Sequence, residues 1–326
     1  MAEVFRHPSL VVVYVVSFCV TAFIITVFDV LMLLFLCARS TAMELSVRTV
    51  LCGLFLGTLL VSVAFMLENI TAFVLAVVDV SEPPPIPWCS FIVYLIGVGW
   101  SVRFVFAATF SVIVYMSIRY SLSTVNRRWI IVFSGLLVAA CAISAGPILS
   151  PYIIEVTFFG GVVCFIGPSA ENFTSAFRIP VANRTYVGLW LSLFGMLPFL
   201  IAVILPFVAL WAYLHKKAVE NVELKKCFLK LTIFLIVESM ANLCGLIIPA
   251  IATYLYRKSE DELGVFLFIN IITIFTLLLT PIGVMVFLKG VRHGMKRFYC
   301  GKCCPMNYNN SHDAKTTMYY HKWREQ

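Results

Sequence analysis

The chain has 326 residues, 61% hydrophobic and 12% charged, with a mean hydropathy of +0.98 and a formal net charge of +8. Soluble domains carry roughly 25% charged residues, so this composition excludes one and indicates a polytopic membrane protein. The cations fall in short runs between apolar stretches, the pattern left by membrane orientation, and no nucleic-acid partner is expected.

Apolar runs cover residues 9–37, 47–78, 90–118, 129–153, 186–214, 228–256 and 264–288. Each is long enough, at about 1.5 Å per residue, to cross the roughly 30 Å hydrocarbon core of a bilayer. None alternates as a barrel strand would. The prediction is an all-α, seven-transmembrane helix bundle over residues 1–290, followed over 291–326 by a short amphipathic cytoplasmic helix and tail. No cleavable signal peptide is expected, because only Arg6 and His7 precede a first run too long for a signal core. Glu68 and Asn69 interrupt the second run and Asp79 closes it; it is read as one helix with a polar outer turn.

Lysine and arginine set the orientation. They crowd the segments after runs one, three, five and seven, among them Arg119, Arg127, Arg128, Lys216, Lys217, Arg292, Lys296 and Arg297. The opposite side carries few cations, set among Asp79, Glu82, Glu155, Glu171, Glu260, Asp261 and Glu262. A plasma-membrane protein with its N-terminus extracellular and its C-terminus cytoplasmic is expected. Asn172 and Asn183 open sequons in the long loop thus placed outside, where glycosylation is possible.

Of eleven cysteines, this topology leaves only Cys89 and Cys164 facing outward, and a disulfide between them is expected, with two free thiols as the other reading. The segment Lys289 to Cys304 interleaves cations with Val291, Met295, Phe298 and Tyr299, which suits a helix lying on anionic membrane lipid. Cys300, Cys303 and Cys304 follow as candidates for palmitoylation, with a zinc site as the rival.

Seven spans, an outer N-terminus, a cysteine opening span three, Pro206, Pro249 and Pro281 inside spans five, six and seven, and the basic amphipathic segment together resemble a rhodopsin-like (class A) G-protein-coupled receptor. The resemblance covers the whole chain, and its short motifs are degenerate. Where the family has an Asp-Arg-Tyr triplet this chain has Ile113-Val114-Tyr115, or in another register Ile118-Arg119-Tyr120; these positions, Arg119 included, are the implied G-protein-coupling region. Thr280-Pro281-Ile282-Gly283-Val284 stands in place of Asn-Pro-x-x-Tyr. At the family's sodium-holding positions in spans one and two the chain has Asp29 and Gly57.

Arg103 lies in the middle of span three, where an unpaired cation costs about 2.5 to 3.5 kcal/mol on insertion scales. Asp29 is the expected partner in an intramembrane charge pair; Glu238 is a second candidate, and backbone carbonyls or Asn242 and Asn270 are the neutral alternative. The resemblance implies a heterotrimeric G protein as partner and a small-molecule ligand between the outer helix ends, lined by Glu68, Tyr94, Gly97, Trp100, Trp190, Tyr254 and Asn270. Few charges in that region point to a small apolar, odorant-like ligand. No enzyme motif and no cofactor site is found. A transporter or channel subunit is the competing class, against which stands the absence of an internal repeat.

Overall fold

The computed structural model describes residues 8–38, 45–78, 86–120, 124–149, 154–158, 161–165, 191–215, 229–244 and 262–300. Helices fall on the apolar runs: α1 (Pro8–Cys37), α2 (Leu45–Val78), α3 (Ile86–Tyr120), α4 (Thr124–Leu149), α5 (Leu197–His215), α6 (229–244), α7 (Glu262–Phe287) and α8 (Lys289–Cys300). Five of them, α1 to α5, are long and apolar enough to cross a membrane, and Ile271–Phe287 of α7 forms a shorter apolar helix.

Local sequence explains the starts and irregularities. Pro8 and Pro87 sit in the first turns of α1 and α3, where a missing N–H costs nothing. Pro198 lies in the first turn of α5, and the residues before it, Leu191–Met196, form a widened π-helical turn. Within the helices, hydroxyls of Thr21, Thr58, Thr109, Ser111 and Ser144 donate to carbonyls one turn back, so polar groups in apolar helices are satisfied locally.

Among the described residues, the one departure from an all-helical chain is a hairpin, β1 (Ile154–Phe158) paired antiparallel with β2 (Gly161–Phe165), with Glu155 opposite Cys164. Strand β2 lies against α2 and α3.

The core is built around α3. Almost every residue from Val98 to Val114 is buried, and α2, α4 and α5 pack on it. The closest approach is to α2, where Gly53 and Gly57, four residues apart, face Phe106 and Arg103. Thr109 and Ser134 share a hydrogen bond of 2.6 Å between α3 and α4, Phe104 meets Phe199 of α5 with ring centroids 5.3 Å apart, and Phe110 meets Phe234 of α6 at 6.2 Å. Helix α1 packs on α2, with Thr26 and Ser62 bonded at 3.0 Å.

The outward faces are apolar: Phe23, Ile24 and Leu34 of α1, Trp129, Phe133, Leu136 and Ile143 of α4, and Ile204, Trp211 and Leu214 of α5 are exposed. Such faces suit hydrocarbon rather than water. Helix α8 docks across the end of α1: Val291 is buried, Phe298 stacks edge-on to Phe35 at 5.9 Å, and Tyr299 donates to the Leu31 carbonyl at 2.5 Å. Its cationic Lys296 and its His293 remain exposed, as the one-sided sequence pattern predicts.

Candidate functional site

Arg103 is fully buried. Gly57 of α2 sits so close to the Arg103 backbone that an added Cβ would lie 2.7 Å from its nitrogen, so main-chain contact fills that side. The guanidinium reaches instead toward α6 and α7. Its Nε donates to Oε1 of Glu238 at 3.0 Å, its Nη2 lies 2.9 Å from the same oxygen as an ion pair, and Nη2 donates to Thr280 Oγ1 at 2.8 Å and to the Thr276 carbonyl at 3.2 Å. The Thr280 hydroxyl donates its own proton to Glu238 Oε2 at 2.8 Å. The indole of Trp100 covers the guanidinium, 5.3 Å from ring centroid to Cζ.

The local sequence of α7 prepares this site. Pro281 has no N–H, so the Leu277 carbonyl four residues back loses its intrahelical donor; Arg103 reaches the neighbouring carbonyl of Thr276. Thr280 both accepts and donates, which lets a neutral hydroxyl close the loop between cation and anion. Next to Glu238, the Ser239 hydroxyl donates to the Ala202 carbonyl at 2.5 Å, tying the same turn of α6 to α5. The result is a charge-neutral clasp joining α3, α6 and α7 in the interior.

This corrects the expected Asp29–Arg103 pair. Asp29 is fully buried, but neither of its oxygens has a hydrogen-bond partner among the described residues. The reason is topological: α2 packs between α1 and α3. Asn242, also fully buried, makes no hydrogen bond to the guanidinium, and its side-chain atoms have no partner among the described residues. Among the described residues, the neutral alternative contributes the backbone carbonyl of Thr276. Arg103 Nη1 is likewise buried and unbonded among the described residues.

Of the expected ligand lining, the side chains of Trp190, Tyr254 and Asn270 lie outside the described residues. Glu68, Gly97 and Trp100 keep partial exposure within the bundle. Tyr94 is likewise partly exposed, and its hydroxyl donates to the Ala142 carbonyl at 3.1 Å, making it a strut between α3 and α4. Tyr94→Phe is therefore expected to lower stability by about 0.5 to 1.5 kcal/mol, read as a lower thermal midpoint in detergent. An unchanged midpoint would show that the strut carries no stability.

Ile113 and Val114 are core residues, Tyr115 is half-buried, and Arg119 is exposed in the last turn of α3 with its guanidinium 6.0 Å from the Tyr120 ring. Asn172, Asn183, Trp190, Tyr254, Cys303 and Cys304 lie outside the described residues, as do the side chains of Cys89, Cys164, Asn270 and Cys300. Among the described residues no group of three or more metal-ligating side chains comes together.

No protein-family model matches the chain, and no curated protein is significantly similar to it.

Proposed function

We propose that this protein is a seven-helix plasma-membrane receptor that transduces an extracellular small ligand to a cytoplasmic heterotrimeric G protein. In this reading α1 to α7 span the bilayer, the N-terminus is outside, and α8 lies on the inner lipid surface. The observation that carries it is the clasp of Arg103, Glu238, Thr276 and Thr280. Three helices that must move relative to one another in a transducer are joined by a few directional bonds in an apolar interior. A ligand that separates them at one end opens the other, where Arg119 and Tyr120 close α3. Asn172 and Asn183 would be glycosylated and Cys300, Cys303 and Cys304 palmitoylated on this reading, and Cys89 and Cys164 would tie the hairpin to α3.

The test is nucleotide exchange by added G proteins on the reconstituted chain. Glu238→Gln breaks the clasp and is expected to raise basal exchange above that of the unmodified protein. A transporter or channel subunit is the second reading, favoured by buried charge within the membrane, which commonly marks ion pathways. Solute flux or conductance in proteoliposomes, with no exchange on any G protein, would establish it instead.

A further inference from the structure

Helices α1 and α2 bring two thiols together at the end of the bundle where α8 docks. Cys37 is the last residue of α1, and Cys52 lies near the start of α2. The register of the helix pair places them level. Thr26 of α1 and Ser62 of α2 share a hydrogen bond of 3.0 Å. Cys37 stands eleven residues beyond Thr26 and Cys52 ten before Ser62, so antiparallel helices carry both toward one end, by about 16.5 and 15 Å at about 1.5 Å per residue. Around them Leu36, Leu51 and Phe55 share one core cluster, and Cys52 packs against it. The side chains of Cys37 and Cys52 themselves meet in a hydrogen bond.

Access to the pair is one-sided, because Cys37 is exposed and Cys52 half-buried. At 30 residues, α1 is about 45 Å long and overhangs a hydrocarbon core of roughly 30 Å. Arg39 follows Cys37 in the sequence, and cations of this kind mark the lipid–water boundary. Water-soluble reagents therefore reach Cys37 first. Arg48, one turn before Cys52 on α2, brings a positive charge to the same place. Phe35, two residues before Cys37, receives the Phe298 ring of α8, and a Cβ added at Gly294 of α8 would lie 2.7 Å from Phe35. Whatever ties this end of α1 to α2 thus also steadies the seat of α8.

We infer that Cys37 and Cys52 form a dithiol modification site, which glutathione disulfide oxidises to a reversible cross-link between α1 and α2. Cys37, exposed, gives its proton to water and attacks one sulfur of glutathione disulfide; that S–S bond breaks, and the first glutathione leaves as a thiolate that takes up a proton. Cys52 then loses its proton, attacks the Cys37 sulfur and expels the second glutathione. Two protein thiols are oxidised, one disulfide is reduced to two glutathiones, and no electron or proton is left over. Sulfurs already in contact need side-chain rotation rather than helix movement to reach the S–S bond length of about 2.05 Å. Glutathione disulfide carries a net negative charge, which Arg48 attracts. On the proposed topology this end is cytoplasmic, where disulfides are transient and redox-sensing rather than structural. The inference goes beyond the receptor reading, since the chemistry of the pair needs neither ligand nor G protein.

The test is peptide mapping of the full chain in neutral detergent, fully reduced and then equilibrated with glutathione disulfide. Digestion without reductant is expected to yield a peptide pair joining Cys37 to Cys52 that dithiothreitol separates, and oxidation to raise the thermal midpoint. Cys52→Ser should lose the cross-link and accumulate a glutathione adduct on Cys37, and Cys37→Ser should lose the cross-link altogether; neither variant should gain thermal stability on oxidation. No linked pair, a Cys37 adduct that persists while Cys52 is present, or a cross-link as abundant in chain unfolded before oxidation would each overturn the inference. Should either variant fail to fold, mapping of the unmodified chain, folded against unfolded, decides. Nucleotide exchange is read separately, so a cross-link without exchange sinks the receptor reading alone, whereas exchange without a cross-link sinks the inference alone.

Discussion

Arg103→Met and Glu238→Gln are each expected to lower stability in detergent by about 3 to 5 kcal/mol, and the double substitution to recover much of that loss. Each single change strands a charged or strongly polar group in an interior where Arg103 and Glu238 are 0% and 1% exposed. The double change removes both buried charges and leaves only a neutral amide to desolvate, and a buried pair replaced as a unit costs far less than a broken one. Thr280→Val should cost less than either, because it leaves the ion pair intact and removes only the hydroxyl that bridges it. Asp29→Asn is expected to be nearly silent or stabilising, since its carboxylate has no hydrogen-bond partner among the described residues. The measurement is a double-mutant cycle on thermal or chemical unfolding. A double mutant no more stable than Arg103→Met, or an Asp29→Asn loss as large as that of Glu238→Gln, would refute the clasp.

That a partner for Arg103 must exist is legible from the sequence, because a guanidinium within an apolar run has few inexpensive environments. Which carboxylate it is cannot be read there. Depth along each run places Asp29 and Glu238 as rivals, and only the packing order, with α2 between α1 and α3, decides between them. Glu238 carries a signal nonetheless: it is the sole acidic residue in the run 228–256, and Thr280 beside Pro281 offers a hydroxyl within the apolar run of span seven. The helices themselves are readable because run length and apolarity dominate in this composition. The hairpin escapes a reading by run length, although Gly160 and Gly161 separate a pair of short β-branched stretches and so give a turn signal. The bond of Tyr94 to the Ala142 carbonyl is not legible either, because an aromatic residue at a given depth does not reveal which neighbour its hydroxyl reaches.

Gly57 is where the fold and the clasp depend on the same atom. A Cβ at this position would lie 2.7 Å from the Arg103 backbone nitrogen and 2.9 Å from its Cα. Backbone cannot swing aside as a side chain does, so α2 and α3 must separate, and the Arg103 guanidinium is drawn from its bonds on α6 and α7. Gly57→Leu is expected to cost about 3 kcal/mol or more, at the upper end of overpacking effects. At Gly53 an added Cβ would lie 2.2 Å from Phe106 Cγ, an atom that turning the ring does not move, so Gly53→Ala should also cost stability. Gly135 on α4 meets nothing within 4 Å, and Gly135→Ala should instead stabilise by about 0.5 to 1 kcal/mol through helix propensity alone. If the α2–α3 contact holds Arg103 in place, Glu238→Gln should cost less in a Gly57→Ala background than in the unmodified chain. Additive losses would mean that close packing at Gly57 and the charge clasp act independently, and a Gly57→Ala protein as stable as the original would show that α2 and α3 are not in backbone contact there.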